Sequence, residues 1–199
     1  MNWNKILDMM NCSVNRVSLN ESVTDNSTAI RELQIDEFSS FGQVILHVNR
    51  MVINGYLRIF GEHILEINRK VKNVYHGNKI VIATDVFGGI FAINNGDFCG
   101  NRASIWYFAP DTLEWEDLNI DYTHFLQWVC SEDFNTFYSS FLWSTADDII
   151  RIISDDEAVL VYPFLWSNEC NIETASKKII PFDELLSLNA EYKHKFDNE

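Results

Sequence analysis

Met51-Val52-Ile53-Asn54-Gly55-Tyr56-Leu57-Arg58-Ile59-Phe60 is the stretch on which the fold turns. Two β-rich runs flank an Asn-Gly pair. A type I′ turn selects that pair because both of its central residues need positive φ. The stretch predicts a β-hairpin. Downstream, Lys79 to Thr84 and Gly88 to Asn94 read as buried strands separated by Gly88-Gly89. Ser104 to Phe108 is a further strand, Pro110-Asp111 a turn, and Leu113 to Leu118 the returning strand. Ile64, Ile67 and Val71 between these runs mark a short helix.

Helical spacing dominates elsewhere. Asn26 or Ser27 can cap a helix through about Leu33, and Ser40 precedes Phe41, Val44, Ile45 and Val48 on a second amphipathic helix. Thr123 and Ser131 stand as caps for two more. In the second of these, Phe134, Phe137, Tyr138 and Phe141 form an aromatic face. Thr145-Ala146-Asp147-Asp148 resembles a capping box ahead of Ile149 to Ile153. Val159 to Tyr162 and Ile179-Ile180 are late strands, and Pro181 opens a C-terminal helix. Strands joined by hairpins rather than by β-α-β units predict an α+β fold, a mainly antiparallel sheet with helices packed on one face. Residues 26–199 read as a single domain. Residues 1–25, polar apart from Ile6-Leu7, read as an N-terminal extension made of a short helix and a loop.

Charge is distributed unevenly. Residues 111–157 hold twelve acids and one base, Arg151, a net of −11 in a chain whose total is −14. Nine of the 27 aromatics lie in the same stretch. Such a balance disfavours nucleic acid and anionic membrane as partners, since phosphate binding needs Lys and Arg, and favours a basic protein. The opening residues Met1 to Asp8 lack the uninterrupted apolar run of a signal peptide. Cys12, Cys99, Cys130 and Cys170 have wide, irregular spacings that suit free thiols in a reducing cytoplasm, three of them packed as small apolar groups. Neither these cysteines nor the five histidines supply the short ligand spacings of a zinc site, and no cofactor is expected.

No catalytic signature stands out. Gly88-Gly89 lacks the Lys and Ser/Thr of a phosphate loop and reads as a tight turn. Glycoside hydrolysis needs two carboxylates across one cleft, roughly 5–10 Å apart. Strand alternation instead puts Glu114 and Glu116 together toward water, with Leu113 and Trp115 opposite. Asp155-Asp156-Glu157 is contiguous, unlike the spaced ligands of a calcium loop. His47 and His124 have no Ser or Cys elbow beside them and read as structural. Of the tryptophans between residues 106 and 143, Trp115 and Trp128 suit core packing. Trp143 is expected to be partly exposed.

Three runs occur in order: Asp85-Val86-Phe87-Gly88-Gly89-Ile90-Phe91-Ala92-Ile93-Asn94, Trp106-Tyr107-Phe108-Ala109-Pro110-Asp111-Thr112-Leu113-Glu114-Trp115-Glu116, and Tyr122-Thr123-His124-Phe125-Leu126-Gln127-Trp128. Together with Gly55 to Gly61, Phe137-Tyr138, Leu142-Trp143, Tyr162-Pro163 and Leu165-Trp166, they closely resemble a bacterial domain-of-unknown-function family, DUF2625, over residues 28–188. A second Gly is usual in that family where Asn95 stands. The element order is also similar, more distantly, to the SUKH superfamily. That resemblance implies an α+β fold and, by analogy, a role as an immunity protein that neutralises a toxin. It carries over no catalytic residue.

The expected function is a non-enzymatic cytoplasmic binding protein, an immunity-type inhibitor with an acidic face. Asp111, Glu114, Glu116, Asp117 and Asp121 of the hairpin region, Glu132 and Asp133 of the next helix, and Trp143 are the candidate partner-binding residues. The alternative is a small-molecule or carbohydrate module, or a hydrolase, using acids and tryptophans in a cleft.

Overall fold

The structure is a computed structural model that describes residues 1–198. The Asn-Gly hairpin is present as read: Asn54 and Gly55 have φ of 51° and 84° and join β2 (Val48–Ile53) to β3 (Leu57–Phe60). β4 (Ile80–Asp85), β5 (Ile90–Ile93), β6 (Ile105–Ala109) and β7 (Glu114–Asp117) follow. All pair antiparallel in chain order. β1 (Val17–Glu21) completes a seven-stranded meander, β1-β2-β3-β4-β5-β6-β7. The α+β class and the antiparallel order agree with the sequence.

Residues 1–25 are not an appendage. α1 (Trp3–Asn11) buries Ile6 and Met10 in the main core. β1 pairs with β2 from Val17↔Ile53 to Asn20↔Arg50 and forms one edge of the sheet. Val17 and Leu19 turn inward and alternate with exposed Ser18 and Asn20, a period-2 signal masked by its polar setting.

The helices lie on both faces of the sheet rather than on one. On the first face Ile53, Leu57, Ile82, Phe91 and Tyr107 pack with residues of α1, α3 (Ser40–His47), α5 (Tyr122–Val129) and α6 (Glu132–Tyr138). α2 (Ser27–Leu33) and α7 (Ala146–Ile150) close this side, with Ala29 and Ile150 in the same core. Alternation sends Val81, Ile90, Ala92 and Phe108 to the second face. There they meet Ile67 and Val71 of α4 (Ile64–Val74) and Leu185 and Leu186 of α8 (Phe182–Phe196). Ala158 and Ile180 of a separate ribbon, β8 (Glu157–Tyr162) with β9 (Ser176–Pro181), complete that layer. A strand buried on both faces reads as a continuous apolar run, which is why β4 and β5 look uniformly hydrophobic. Among the described residues no helix is long and apolar enough to cross a membrane.

Asp85 organises the centre. It is fully buried at the end of β4. Its Oδ1 accepts the N–H groups of Phe87 (2.9 Å) and Gly89 (2.8 Å). Its Oδ2 accepts the hydroxyls of Tyr107 (3.1 Å) and Tyr138 (3.0 Å). One carboxyl group thus shapes the β4–β5 turn and ties β6 and α6 to it. The Gly-Gly pair follows from the same geometry. Gly88 has φ +94°, and a Cβ on Gly89 would lie 2.2 Å from Asp85 Oδ2 and 2.5 Å from the Tyr107 hydroxyl. Around this centre Tyr56, Phe87, Phe134, Tyr138 and Phe141 pack ring on ring, with centroids 4.7–6.2 Å apart.

The loop after β5 is built on another buried polar residue. The Asn94 amide donates to the carbonyls of Phe98 and Asn101 and accepts the N–H groups of Gly96 and Phe98. The positive φ values of this loop fall on Gly96 (99°) and Gly100 (101°), so Asn95 needs no left-handed backbone.

Two predictions follow from Asp85. Gly89→Ala is expected to cost about 2 kcal/mol or more by overpacking, read from urea unfolding; a loss below about 0.5 kcal/mol would contradict the close approach. Burial pushes the Asp85 carboxyl above its ordinary range, against the pull of its four hydrogen bonds. The folded state therefore holds this proton to higher pH than the unfolded chain. The associated stability is complete below the unfolded value of about 3.9 and is lost as pH rises through the folded one. Asp85→Asn should accordingly flatten the decline in stability from about pH 4 upward. Parallel pH profiles for variant and wild type would refute this.

Candidate functional site

β7 is the outer strand of the sheet, paired on one side only. The turn before it puts Leu113 at φ 59° and buries its side chain, leaving Asp111 outside. Along β7 the expected alternation holds at its centre. Trp115 is half-buried against Phe108, Tyr75 and Phe98, with the Lys79 ammonium 5.5 Å from its ring, while Glu114 and Glu116 are exposed.

The eight candidate residues divide by what they touch. Glu114 is ion-paired with Lys193 of α8, 3.1 Å from each carboxylate oxygen. Asp117 accepts the Ser104 hydroxyl and the Asn119 N–H, the latter at 2.8 Å, in a local turn that ends the strand. Asp121 caps α5. Partial burial raises its carboxyl, but the N–H and imidazole of His124, both at 2.9 Å, hold it below its ordinary value. Thr123, read as that cap, instead bonds the Ser40 hydroxyl. Glu132 and Asp133 are exposed in the first turn of α6, where the helix dipole favours them. The Ser131 hydroxyl does not cap that helix and turns back to the Trp128 carbonyl. Among the described residues, Asp111, Glu116 and Asp133 have no side-chain hydrogen bond or ion pair.

These residues do not form one patch. α6 is fixed by Asn135 to Asn54 in the β2–β3 turn and by Asn15 to the Ser131 carbonyl. β3 lies four strands from β7, roughly 19 Å at ~4.8 Å per strand. The β7 acids and the α6 acids therefore occupy separate regions of the surface.

Trp143, expected to be partly exposed, is 8 % exposed and belongs to the main core. Its Nε1 donates to Thr145 Oγ1 at 3.1 Å, and the Lys177 ammonium from β9 covers its ring at 5.0 Å. The segment after α6 folds the indole under the ribbon, a long-range contact that local spacing does not reveal. The cysteines also differ from expectation: all four are free, but Cys12 and Cys99 are exposed and Cys130 and Cys170 only partly buried.

A concave site exists elsewhere, on the second face of the sheet. A cleft of about 300 Å³ opens between β2–β3, α4, residues 155–156 and the start of α8. None of the eight candidates lines it. Three of its four carboxylates, Asp155, Asp183 and Glu66, are each paired with a cation, Arg50 for the first and Lys70 (3.4 Å) for the other two, while Asp156 makes no ion pair among the described residues. The residue missed by sequence reasoning is Arg58, buried beneath this cleft. The signal was legible as a lone cation inside the apolar run Leu57-Arg58-Ile59. Burial makes Trp143 a stability residue first. Trp143→Ala is expected to lower stability by about 3–5 kcal/mol in chemical denaturation, and a loss under about 1 kcal/mol would contradict its placement.

Comparison with known proteins finds relatives over most of the chain. The profile of the family described as "Protein of unknown function DUF2625" matches residues 1–185, so the match includes α1 and β1. The uncharacterised protein YbfG of Escherichia coli (strain K12) is 35% identical, with 85% of this chain and 81% of YbfG covered. An uncharacterised protein of Haemophilus influenzae (strain Rd) is 30% identical, covering 87% of this chain and 82% of that protein. The chain belongs to the DUF2625 family of proteins of unknown function.

Proposed function

We propose that this protein is a non-enzymatic cytoplasmic binding protein that docks a basic protein partner on its β6–β7 edge, in the manner of an immunity-type inhibitor of a basic toxin. The observation that carries the reading is the pair Asp111 and Glu116. Both are exposed and unpaired among the described residues, and both are held on a hairpin anchored by Leu113 and Trp115. Fixed outward carboxylates on a rigid strand lose little freedom on binding. They also speed encounter with a basic surface, up to roughly 10⁸–10⁹ M⁻¹s⁻¹ at low salt. The open edge of β7 adds unpaired main-chain groups that a partner strand can use. Charges on such an edge also discourage pairing between copies of the same chain, which suits a surface reserved for a partner of opposite sign. Four free thiols suit a reducing compartment. The cleft reading as a hydrolase is weaker, because three of the four cleft acids, Glu66, Asp155 and Asp183, are tied to Arg50 and Lys70, which leaves Asp156 without a second free carboxylate across the cleft.

The test uses the product of the neighbouring gene as the binding probe, titrated at two salt concentrations. The double variant Asp111→Lys/Glu116→Lys is expected to bind at least about tenfold more weakly and with a shallower salt dependence. Asp133→Lys, in the first turn of α6 on the helix tied to the β2–β3 turn, should bind like wild type. Failure of the wild type to bind sinks the inhibitor reading, and unchanged affinity with an unchanged salt slope in the double variant sinks the electrostatic one.

A further inference from the structure

Arg58 is 6 % exposed, and among the described residues no carboxylate lies within ion-pairing distance of it. Its two Nη atoms donate to the carbonyls of Ser154 (2.6 Å) and Glu157 (2.7 Å). A guanidinium has five N–H donors, so three remain beyond these two bonds. Burial pulls its pKa down to about 10, partly offset by Asp155, Asp85 and Asp156 at longer range, so it stays charged at neutral pH. A buried cation without a contacting counter-ion is costly, and an anion arriving beside it relieves that cost.

The cleft above Arg58 specifies what kind of anion. Its rim carries four carboxylates, Glu66, Asp155, Asp156 and Asp183. Arg50 and Lys70 are the arginine and lysine of the rim, both engaged by Asp155, Glu66 and Asp183, and His63 lies beside Glu66 at 3.7 Å. This rim disfavours a dianion such as phosphate more strongly than a single carboxylate. Asp156 differs from its neighbours. Its backbone carbonyl accepts the Phe182 N–H at 2.7 Å, while its side chain is exposed and, among the described residues, makes no ion pair. It is free to receive an ammonium group. Phe60, Ile67 and Phe182 supply apolar wall to the same cleft. The volume, about 300 Å³, is at the small end of ligand sites.

We infer that this cleft binds a small zwitterion of the free amino-acid type, its carboxylate against Arg58, its ammonium toward Asp156 and its side chain between Phe60, Ile67 and Phe182. The site shares no residue with the β7 edge, so the two readings stand or fall separately. Because Arg58 holds the 154–157 loop and Asp156 lies on it, ligand binding also couples that loop to β3.

The full chain is titrated calorimetrically with each common amino acid. The tightest one is then compared with its deaminated and decarboxylated analogues and with inorganic phosphate. At least one amino acid is expected to bind with Kd below about 1 mM. Each analogue should be at least about tenfold weaker, and phosphate should not bind. Asp156→Asn should weaken the amino acid about tenfold and leave the deaminated analogue unchanged, a pattern that a purely structural role does not produce. Arg58→Lys should weaken both. Should that variant not fold, Asp156→Asn and the analogue series still decide. Absence of binding by every amino acid at about 10 mM, phosphate binding as tight as the zwitterion, or an Asp156→Asn variant with wild-type affinity overturns the proposal.

Discussion

The carboxyl group of Asp85 is the constraint on which the rest of the structure depends. A buried carboxyl is tolerable only if its oxygens are hydrogen-bonded, and here four donors converge on two oxygens. Two of them are consecutive-turn amides that fix the path from β4 to β5. The other two are tyrosine hydroxyls carried by β6 and by α6, elements separated from Asp85 by 22 and 53 residues. Each tyrosine brings an aromatic ring whose packing then excludes water from the carboxyl. Burial and the nearby Asp85 charge push both phenols well above their ordinary range, so they remain donors at all physiological pH. Polar satisfaction and apolar packing are therefore one arrangement at this point. Gly89 is small because any Cβ would occupy the space where the carboxyl and the Tyr107 hydroxyl meet.

Arg58 is the counterpart on the other face. β3 and β4 pair Leu57 with Asp85 and Arg58 with Thr84, so alternation sends the acid to the first face and the base to the second. They attract each other through the sheet without touching. Asp85 is satisfied by side chains and amides of the main core. Arg58 is satisfied partly, by carbonyls of the loop that leads into β8. The β8–β9 ribbon is attached to the sheet through that loop and through the Val159 N–H, which donates to the Val86 carbonyl at 2.7 Å. One residue after Asp85, the same turn thus anchors the second layer of the protein.

What the sequence made legible is what local chemistry decides. Asn54-Gly55 needs positive φ, and the meander follows from hairpins closed by short turns. Helix spacing located α3, α4 and α8 closely. What it left hidden depends on contacts between distant segments. Asp85 sits in the run Asp85-Val86-Phe87 and looks like an ordinary turn acid until Tyr107 and Tyr138 arrive. Trp143 looks exposed until Lys177 of β9 covers it. β1 looks like loop until Ile53 and Met51 pair with it. Placing all helices on one face failed for a related reason. Continuous apolar strands signal burial on two sides, but only the fold shows that α4, α8 and the ribbon fill the second.

The acidic stretch, compact in sequence, is divided in space, and the division separates charges with local duties from those without. Between residues 111 and 157 the chain leaves the β7 edge, crosses the first face through α5 and α6, and ends beside Arg50 at the cleft. Asp117 and Asp121 close turns, Asp155 neutralises Arg50, and Glu114 joins β7 to α8. Each of these would be acidic in a protein that bound nothing. Glu132, Asp147 and Glu157 likewise bond Asn135, Arg151 and the Ser154 N–H. Subtracting all of these leaves Asp111 and Glu116 at one sheet edge, Asp133 and Asp148 on α6 and α7, and Asp156 above a buried arginine. A net charge read along the chain is therefore a poor guide to a binding surface. The useful quantity is the set of outward carboxylates that the fold itself does not use, and that set points to small, separate sites rather than to a single continuous negative face.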